Sequence, residues 1–191
     1  EVYQELEERD TAVDYLINNA GFGGRGSFHE RPWEQHLAMI QVNIVALTAL
    51  TRFFLPGFVE RNSGRILNVS SIASLMPGPL QAVYYASKSY VTFLSNALAE
   101  ELRETNVTVT ALMPGATATE FAQVSGLEKT KLFSKPATAR RVAEIGYAAM
   151  LAGKLDVLAG LDVRQKLSIS LVPFMGKRSL LRTDRKMQEL P

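Results

Sequence analysis

The sequence has 191 residues, of which 47% are hydrophobic and 21% are charged, with a formal net charge of +2. This balance excludes a disordered or fibrous chain, and we assign residues 1–191 to a single globular domain. The basic residues are scattered except near the C-terminus, which argues against a nucleic-acid partner. The absence of cysteine excludes disulfides and thiolate metal sites, and we expect no bound metal.

The chain opens with a charged segment that resembles the second half of an amphipathic helix. We therefore expect the sequence to be part of a longer protein. The segment lacks the apolar core of a signal peptide, and we expect a cytoplasmic location. Residues 37–59 nearly match a membrane span in length, but their polar side chains are costly in lipid, so we predict a buried helix.

Four short β-type runs alternate with helical patterns along the chain. The predicted strands are residues 13–18, 65–70, 107–112 and 155–158. The predicted helices are residues 32–61, 81–104 and 138–151, followed by one amphipathic segment at 163–182. This alternation is typical of βα units, so the sequence predicts an α/β fold with a parallel sheet covered by helices.

A glycine pattern follows the first predicted strand. Residues 21–26 read Gly-Phe-Gly-Gly-Arg-Gly and match the G-x-G-x-x-G fingerprint of dinucleotide-binding sites. A true fingerprint opens directly into a helix whose N-terminus faces the pyrophosphate. Here the predicted helix begins only at about Pro32, several residues after the last glycine, so we interpret the pattern as a flexible loop.

Four polar residues have a more informative spacing. Tyr84 and Lys88 are four residues apart, so an ammonium can lie beside a phenol on one helix face. That pair alone is common, and taken by itself it is better explained as a surface or core tyrosine with an unrelated lysine. Ser71, however, follows a strand thirteen residues before Tyr84, and Asn43 lies in the long helix forty-one residues before it. Parallel strands open on one edge of a sheet, where ligands bind.

The combined pattern resembles the short-chain dehydrogenase/reductase family, in particular its bacterial general reductases. Residues 18–21 read Asn-Asn-Ala-Gly, residues 84–88 read Tyr-Tyr-Ala-Ser-Lys, and residues 114–119 read Pro-Gly-Ala-Thr-Ala-Thr. The resemblance runs from the first residues to about Thr119. It implies a three-layer, doubly wound parallel sheet of Rossmann-like type that lacks its first β-α-β-α-β section.

The resemblance also implies an NAD(P)-dependent oxidoreductase acting on a carbonyl or secondary alcohol. Tyr84 would be the general acid or base, and Lys88 would lower its pKa and bond the nicotinamide ribose. Ser71 would hold the substrate oxygen, and Asn43 would carry a water that links Lys88 to solvent. We expect NADP, with NAD as the alternative. Besides Tyr84 and Lys88, the expected cofactor-binding residues are Asn19, Ala20, Gly21, Pro114, Gly115, Thr117 and Thr119.

Residues 118–136 are long and apolar for a connection, so we predict a lid over the substrate pocket. Its apolar side chains point to an apolar carbonyl or alcohol substrate, and a segment that merely packs on the sheet is the alternative. They are Phe121, Val124, Leu127, Leu132 and Phe133. Residues 160–191 form a C-terminal extension.

The resemblance further implies that helices 32–61 and 81–104 pair across a two-fold axis, giving a homodimer or homotetramer. Strand 13–18 would keep one open edge, so we expect the 191-residue chain alone to self-associate and not to bind cofactor. Two other classes stay open. One is a catalytically silent scaffold of the same fold, and the other is a membrane-associated protein that uses residues 167–181, although we do not expect membrane contact.

Overall fold

The structure is a computed structural model, which describes residues 2–189 apart from the side chains of Val2 and Glu7. Its main sheet has four parallel strands in the order β1-β2-β3-β6. These strands are β1 (Tyr15–Asn18), β2 (Gly64–Val69), β3 (Val107–Pro114) and β6 (Asp156–Ala159). A second, two-stranded sheet pairs β4 (Thr117–Ala118) with β5 (Ala137–Thr138).

Helices connect and cover the strands. They are α1 (Val2–Glu8), α2 (Trp33–Ile40), α3 (Leu47–Glu60), α4 (Ala82–Glu101), α5 (Phe121–Ser125), α6 (Ala139–Leu151), α7 (Val163–Ser170) and α8 (Lys177–Gln188). A π-helical segment, Gln41–Ala46, joins α2 to α3 without a break. Short 3-10 turns occupy Ile72–Leu75, Lys131–Phe133 and Val172–Phe174.

The sheet lies between two helical layers. Successive side chains of a strand point to opposite faces of the sheet, so neighbouring residues can pack on helices of different layers. Ile66 of β2 packs in one cluster with Phe54 and Phe58 of α3. The next residue, Leu67, packs in another cluster with Val142 and Met150 of α6. The predicted α/β fold with its doubly wound parallel sheet is therefore confirmed.

The predicted strands agree with the observed ones to within about two residues, as is usual for element boundaries. Helix 138–151 is also confirmed, and the Thr138 hydroxyl caps it by accepting a hydrogen bond from the Arg141 N–H at 3.3 Å. The single amphipathic segment predicted at 163–182 is wrong. It is two helices, since Pro173 lacks a backbone donor and Gly176 follows it before α8 begins.

The long helix differs from the prediction in burial. The run Trp33–Glu60 is long and apolar enough to cross a membrane by length and composition alone, a test that core helices of soluble proteins also pass. We expected a buried helix, but only one face is buried. Phe53 and Val45 lie on the other face and are about half exposed. This helix therefore has apolar side chains on two faces. Within residues 2–189, one face is buried against the rest of the protein and the other is partly exposed.

Strand β1 is an edge strand among the described residues, because it pairs with β2 alone. Its side chains alternate in burial: Leu16 and Asn18 are buried, whereas Tyr15 and Ile17 are each 46% exposed. An apolar edge strand is a template for pairing with another chain.

We predict that Ile17→Lys lowers self-association of the 191-residue chain, because a lysine on an edge strand discourages strand pairing. Light scattering coupled to size exclusion measures the effect. Leu151→Lys is the control, since it adds the same charge at an exposed apolar position at the end of α6. Equal association of the two variants and the unaltered chain would show that this edge is not the contact.

Candidate active site

A cleft of about 650 Å³ opens where the carboxyl ends of β2 and β3 meet the N-terminal half of α4. This is the edge at which ligands bind in open parallel sheets. Nine of the residues predicted for the site line it: Asn19, Gly21, Ser71, Tyr84, Lys88, Pro114, Gly115, Thr117 and Thr119. Ala20 is exposed outside the cleft wall, and Asn43 is buried behind it.

Tyr84 and Lys88 lie one turn apart on α4, and both are buried. The Lys88 ammonium donates a hydrogen bond to the Val69 carbonyl at 2.8 Å, and its nitrogen lies 5.9 Å from the centre of the Tyr84 ring. Ser71 caps the 3-10 turn after β2, where its Oγ accepts from the Ala73 N–H at 3.1 Å. The structure thus brings the three residues together at one end of the cleft.

Burial controls the ionisation of this group. It raises the pKa of the Tyr84 phenol to about 12, although the hydrogen bond with the Ser71 side chain lowers it in part. Burial also lowers the pKa of Lys88 to about 8, because the charged ammonium loses its water. We expected Lys88 to lower the phenol pKa, but in this structure desolvation outweighs any such effect.

Asn43 hydrogen-bonds both the backbone of the loop after β1 and the helix α4. Its amide donates to the Phe22 carbonyl at 2.9 Å and to Ser87 Oγ at 3.0 Å, and its Oδ1 accepts from the Phe22 N–H at 3.1 Å. Ser87 in turn donates to the Tyr84 carbonyl at 2.7 Å. Both amide donors are used in this network, so the side chain positions Phe22 and α4, and the expected water-carrying role stays a prediction.

We predict that Asn43→Ala lowers the free energy of unfolding by about 1–3 kcal/mol, because it strands buried polar groups of Phe22 and Ser87. Urea denaturation measures the change. Gln41→Ala is the matched control, since Gln41 lies on an exposed part of the same π-helical segment. A surface change of this kind should alter stability by less than about 0.5 kcal/mol. Equal losses in both variants would contradict the positioning role.

Two glycines let the backbone approach the centre of the cleft. A Cβ at Gly21 would lie 3.1 Å from both Lys88 Nζ and Asn43 Oδ1, and one at Gly115 would lie 2.4 Å from a methyl carbon of Leu161. Thr117 Oγ1 donates to the Gly115 carbonyl at 2.9 Å. A side chain at Gly115 would have to displace the Leu161 methyl, and one at Gly21 would crowd Lys88 and Asn43.

Thr119 lies just before the short helix α5, and its Oγ1 accepts from the N–H of Phe121, the first residue of that helix, at 3.2 Å. The hydroxyl therefore makes a local bond at the start of the helix, while the residue also lines the cleft. The expected cofactor contact of Thr119 stays a prediction.

The glycine pattern at 21–26 does not open into a helix, because α2 begins only at Trp33. The loop is tightly packed: the Arg25 N–H donates to the Ser125 carbonyl at 2.9 Å. A Cβ at Gly23 would lie 2.8 Å from Phe121 and 3.3 Å from the Tyr84 ring. Glycine is thus needed here for contact with the predicted lid, a role that the sequence pattern did not indicate.

All five apolar residues of the predicted lid line the cleft. Phe121 packs on the Tyr84 ring with the ring centres 5.3 Å apart, and Phe133 stacks on Phe121 at 6.2 Å. Leu127 is almost fully buried. The segment therefore forms an apolar wall next to Tyr84, and its opening and closing stay a prediction.

Sequence reasoning missed a buried polar cluster behind the cleft. The Tyr85 hydroxyl donates to Asp184 at 3.0 Å, and Gln188 donates to Tyr85 at 3.1 Å. Gln81, which lines the cleft with Tyr85, donates to Gln188 Oε1 at 2.8 Å. Burial raises the pKa of the Asp184 carboxyl. Asp184 and Gln188 lie about a hundred residues along the chain from Tyr85 and Gln81, so no local pattern could reveal the cluster.

The family follows from comparison with known proteins. A family model described as short chain dehydrogenase matches residues 1–130, and the chain belongs to this family. It is 38% identical over 108 residues to the uncharacterized oxidoreductase YvrD of Bacillus subtilis, which covers 56% of this chain and 41% of that protein. It is 42% identical over 86 residues to the very-long-chain 3-oxoacyl-CoA reductase of Homo sapiens, covering 45% and 28%.

Solved structures agree with this placement. A short-chain dehydrogenase from Sphingobium yanoikuyae in complex with NADPH has a TM-score of 0.76 and 27% identity, covering 95% of this chain and 70% of that one. A 7beta-hydroxysteroid dehydrogenase structure has a TM-score of 0.81 over 96% and 71% of the two chains, and at 23% identity it shows the fold alone. The chain spans less than half the length of YvrD.

Proposed function

We propose that the protein is an NAD(P)-dependent oxidoreductase that interconverts a carbonyl and a secondary alcohol, with Tyr84 as general acid or base. The observation that carries the proposal is the convergence of Ser71, Tyr84 and Lys88 at one end of a single cleft. When bound, the nicotinamide supplies or accepts the hydride. The remaining chemistry is proton transfer, which the chain's own residues provide.

Carbonyl reduction fits the ionisation of the site. A phenol with a pKa near 12 stays protonated at neutral pH, so Tyr84 can donate a proton to the substrate oxygen. Ser71 stands beside it and can hold the same oxygen by a hydrogen bond. The Lys88 ammonium can stabilise the phenolate that remains, because an adjacent positive charge favours the ionised form.

The residues around Lys88 fit the nicotinamide half of a dinucleotide. Gly21 leaves free backbone surface beside the Lys88 ammonium, and Asn19 and Thr117 add polar groups along the same wall. Among residues 2–189, no glycine-rich turn leads directly into a helix N-terminus, so the pyrophosphate has no such site here. We propose NADP, with NAD as the alternative, because a 27% identical family member was solved with NADPH.

We propose an apolar substrate. Phe121, Val124 and Leu132 form an apolar wall on the side of the cleft next to Tyr84. The human relative is a reductase of very-long-chain 3-oxoacyl-CoA, whose acyl chain is apolar. A medium or large apolar ketone fits this chemistry best.

We further propose that the protein is cytoplasmic and assembles as a homodimer or homotetramer. The uncovered faces of the long helix and of α4 carry large apolar side chains, among them Phe53 and Phe93, which is 70% exposed. Apolar surface of this extent on two neighbouring helices favours burial against a second copy.

Tyr84→Phe should lower kcat at least about a hundredfold, because it removes only the hydroxyl that transfers the proton. The assay follows NADPH oxidation with a panel of apolar ketones, in the protein expressed from its complete gene. Tyr90→Phe is the control, since it removes a hydroxyl from the same helix at an exposed position. Equal activity of the two variants would refute the assignment of Tyr84.

Cofactor titration separates this proposal from the alternative of a catalytically silent scaffold. Nicotinamide fluorescence should report NADPH binding by both tyrosine variants, because neither substitution removes a charged group from the cleft. Absence of binding by the unaltered protein expressed from its complete gene would favour the scaffold.

Carbonyl reduction should slow as the pH rises through about 8, where Lys88 loses its proton and with it the charge that stabilises phenolate. The fall is measured as the alkaline limb of the profile of steady-state kcat against pH. In Lys88→Met the rate should be low throughout and the limb should be gone, because no group at this position then titrates. A limb that persists in Lys88→Met would assign the titration to another group.

A further inference from the structure

The segment after the last strand exposes large apolar side chains. Val163 is 82% exposed, Leu167 is 62% exposed and Phe174 is 85% exposed. Single exposed apolar residues are ordinary on a protein surface, whereas several large ones within one short segment favour a contact with another surface. We call this set, with Leu171 and Met175, the apolar stripe.

Helical spacing places three residues of the stripe on one side of α7 and its C-terminal end. Val163, Leu167 and Leu171 are four residues apart, so at about 100° per residue they span about 80° of the helix circumference. Arg164 and Lys166 flank them, one on each side, and both are exposed. An apolar face bordered by long basic side chains is the pattern of a helix that lies in a membrane interface.

Positive charge is concentrated in the same part of the chain. Residues 160–189 contain seven Lys or Arg and three Asp or Glu, whereas residues 1–159 contain fourteen and sixteen. The small net charge of the whole chain therefore conceals a basic C-terminal segment on a slightly acidic body. A basic surface of this kind attracts anionic lipid headgroups.

The orientation of α8 is fixed by the buried polar cluster. Leu180, Asp184 and Gln188, spaced by four residues, face the body of the protein and are buried. Arg25 Nε also donates to the Gln188 carbonyl at 2.6 Å. The opposite face of the helix is therefore exposed, and it carries Arg178, Arg182 and Arg185.

In contrast to the expectation from sequence that the protein does not contact a membrane, we propose that α7, the turn Val172–Phe174 and α8 dock it on an anionic phospholipid membrane surface. The apolar stripe would enter the boundary between headgroups and acyl chains, and the arginines of α8 would meet lipid phosphates. Insertion of the stripe buries side chains that water now surrounds, while the basic residues supply attraction that falls with added salt.

Charge favours a lipid surface over a second copy of the chain. A two-fold contact through this segment would place the same patch of each copy against the other. The basic residues of α7 and α8 would then face their own counterparts, and like charges in contact are unfavourable. An anionic membrane instead complements the stripe and the charge together.

Vesicle flotation tests the proposal with the 191-residue chain. The protein should float with vesicles of phosphatidylcholine and phosphatidylserine, and not with phosphatidylcholine alone, and high salt should weaken the binding. Failure to float with the anionic vesicles would overturn the proposal, as would equal binding to both vesicle types.

Two pairs of variants locate the contact. Phe174→Ser should weaken binding about tenfold, because the stripe loses its most exposed aromatic side chain. Phe28→Ser is the matched control, since Phe28 is another phenylalanine with an exposed side chain, outside α7 and α8. Loss of binding in Phe28→Ser with retention in Phe174→Ser would overturn the assignment of the membrane contact to α7 and α8.

The second pair tests the charge. The double variant Arg178→Glu with Arg182→Glu should weaken binding at least about tenfold, since both substitutions replace attraction to an anionic surface by repulsion. Arg140→Glu with Arg141→Glu changes the net charge equally on exposed positions of α6 and should bind nearly as well as the unaltered chain. Equal losses of binding in the two double variants would refute a localised basic surface. If the chain is a dimer without vesicles and Phe174→Ser makes it monomeric, the apolar stripe is instead a contact with a second copy.

Discussion

The structure of the site depends on the burial of one cation, the ammonium of Lys88. Burial withdraws water from it, and the Val69 carbonyl at the end of β2 is the hydrogen-bond acceptor that the fold provides. A second bond, from Ser70 Oγ to the Lys88 carbonyl at 2.9 Å, holds the backbone of the same residue to the same strand end. The first turns of α4 are thereby fastened to β2, and the position of Tyr84 follows.

A polar network extends this attachment to the loop after β1. Asn43 lies in the π-helical segment, and from this position its side chain bonds both the loop after β1 and α4. Local π-helical turns are frequent at functional sites. Farther from the cleft, Asn18 donates to Asn68 at 2.8 Å, and Asn68 donates to Ser95 at 2.9 Å, which ties β1, β2 and α4 together. Buried networks of this kind specify one arrangement, because each unmade bond is costly in a medium of low polarity.

The apolar surfaces of the chain divide into two kinds with different chemistry. The faces of the long helix and α4 are apolar with few nearby charges, which suits burial against an identical face. The stripe on α7 is instead bordered by arginine and lysine, which repel an identical surface and suit an anionic one. Hydropathy alone does not separate these cases, since both surfaces are simply apolar in sequence. The neighbouring charges decide between them.

The sequence alone determined the sheet, its parallel direction and the residues that lie at its carboxyl edge, because local periodicity and strand ends are properties of neighbouring residues. The family resemblance grouped Ser71, Tyr84 and Lys88, and the structure places all three in the wall of one cleft. Only the tertiary structure decided the bonds of Asn43, the contact of Gly23 with the lid and the attachment of α8 through Asp184 and Gln188. These depend on residues far apart in the chain, and the raised pKa of Tyr84 depends on burial, which no local pattern records.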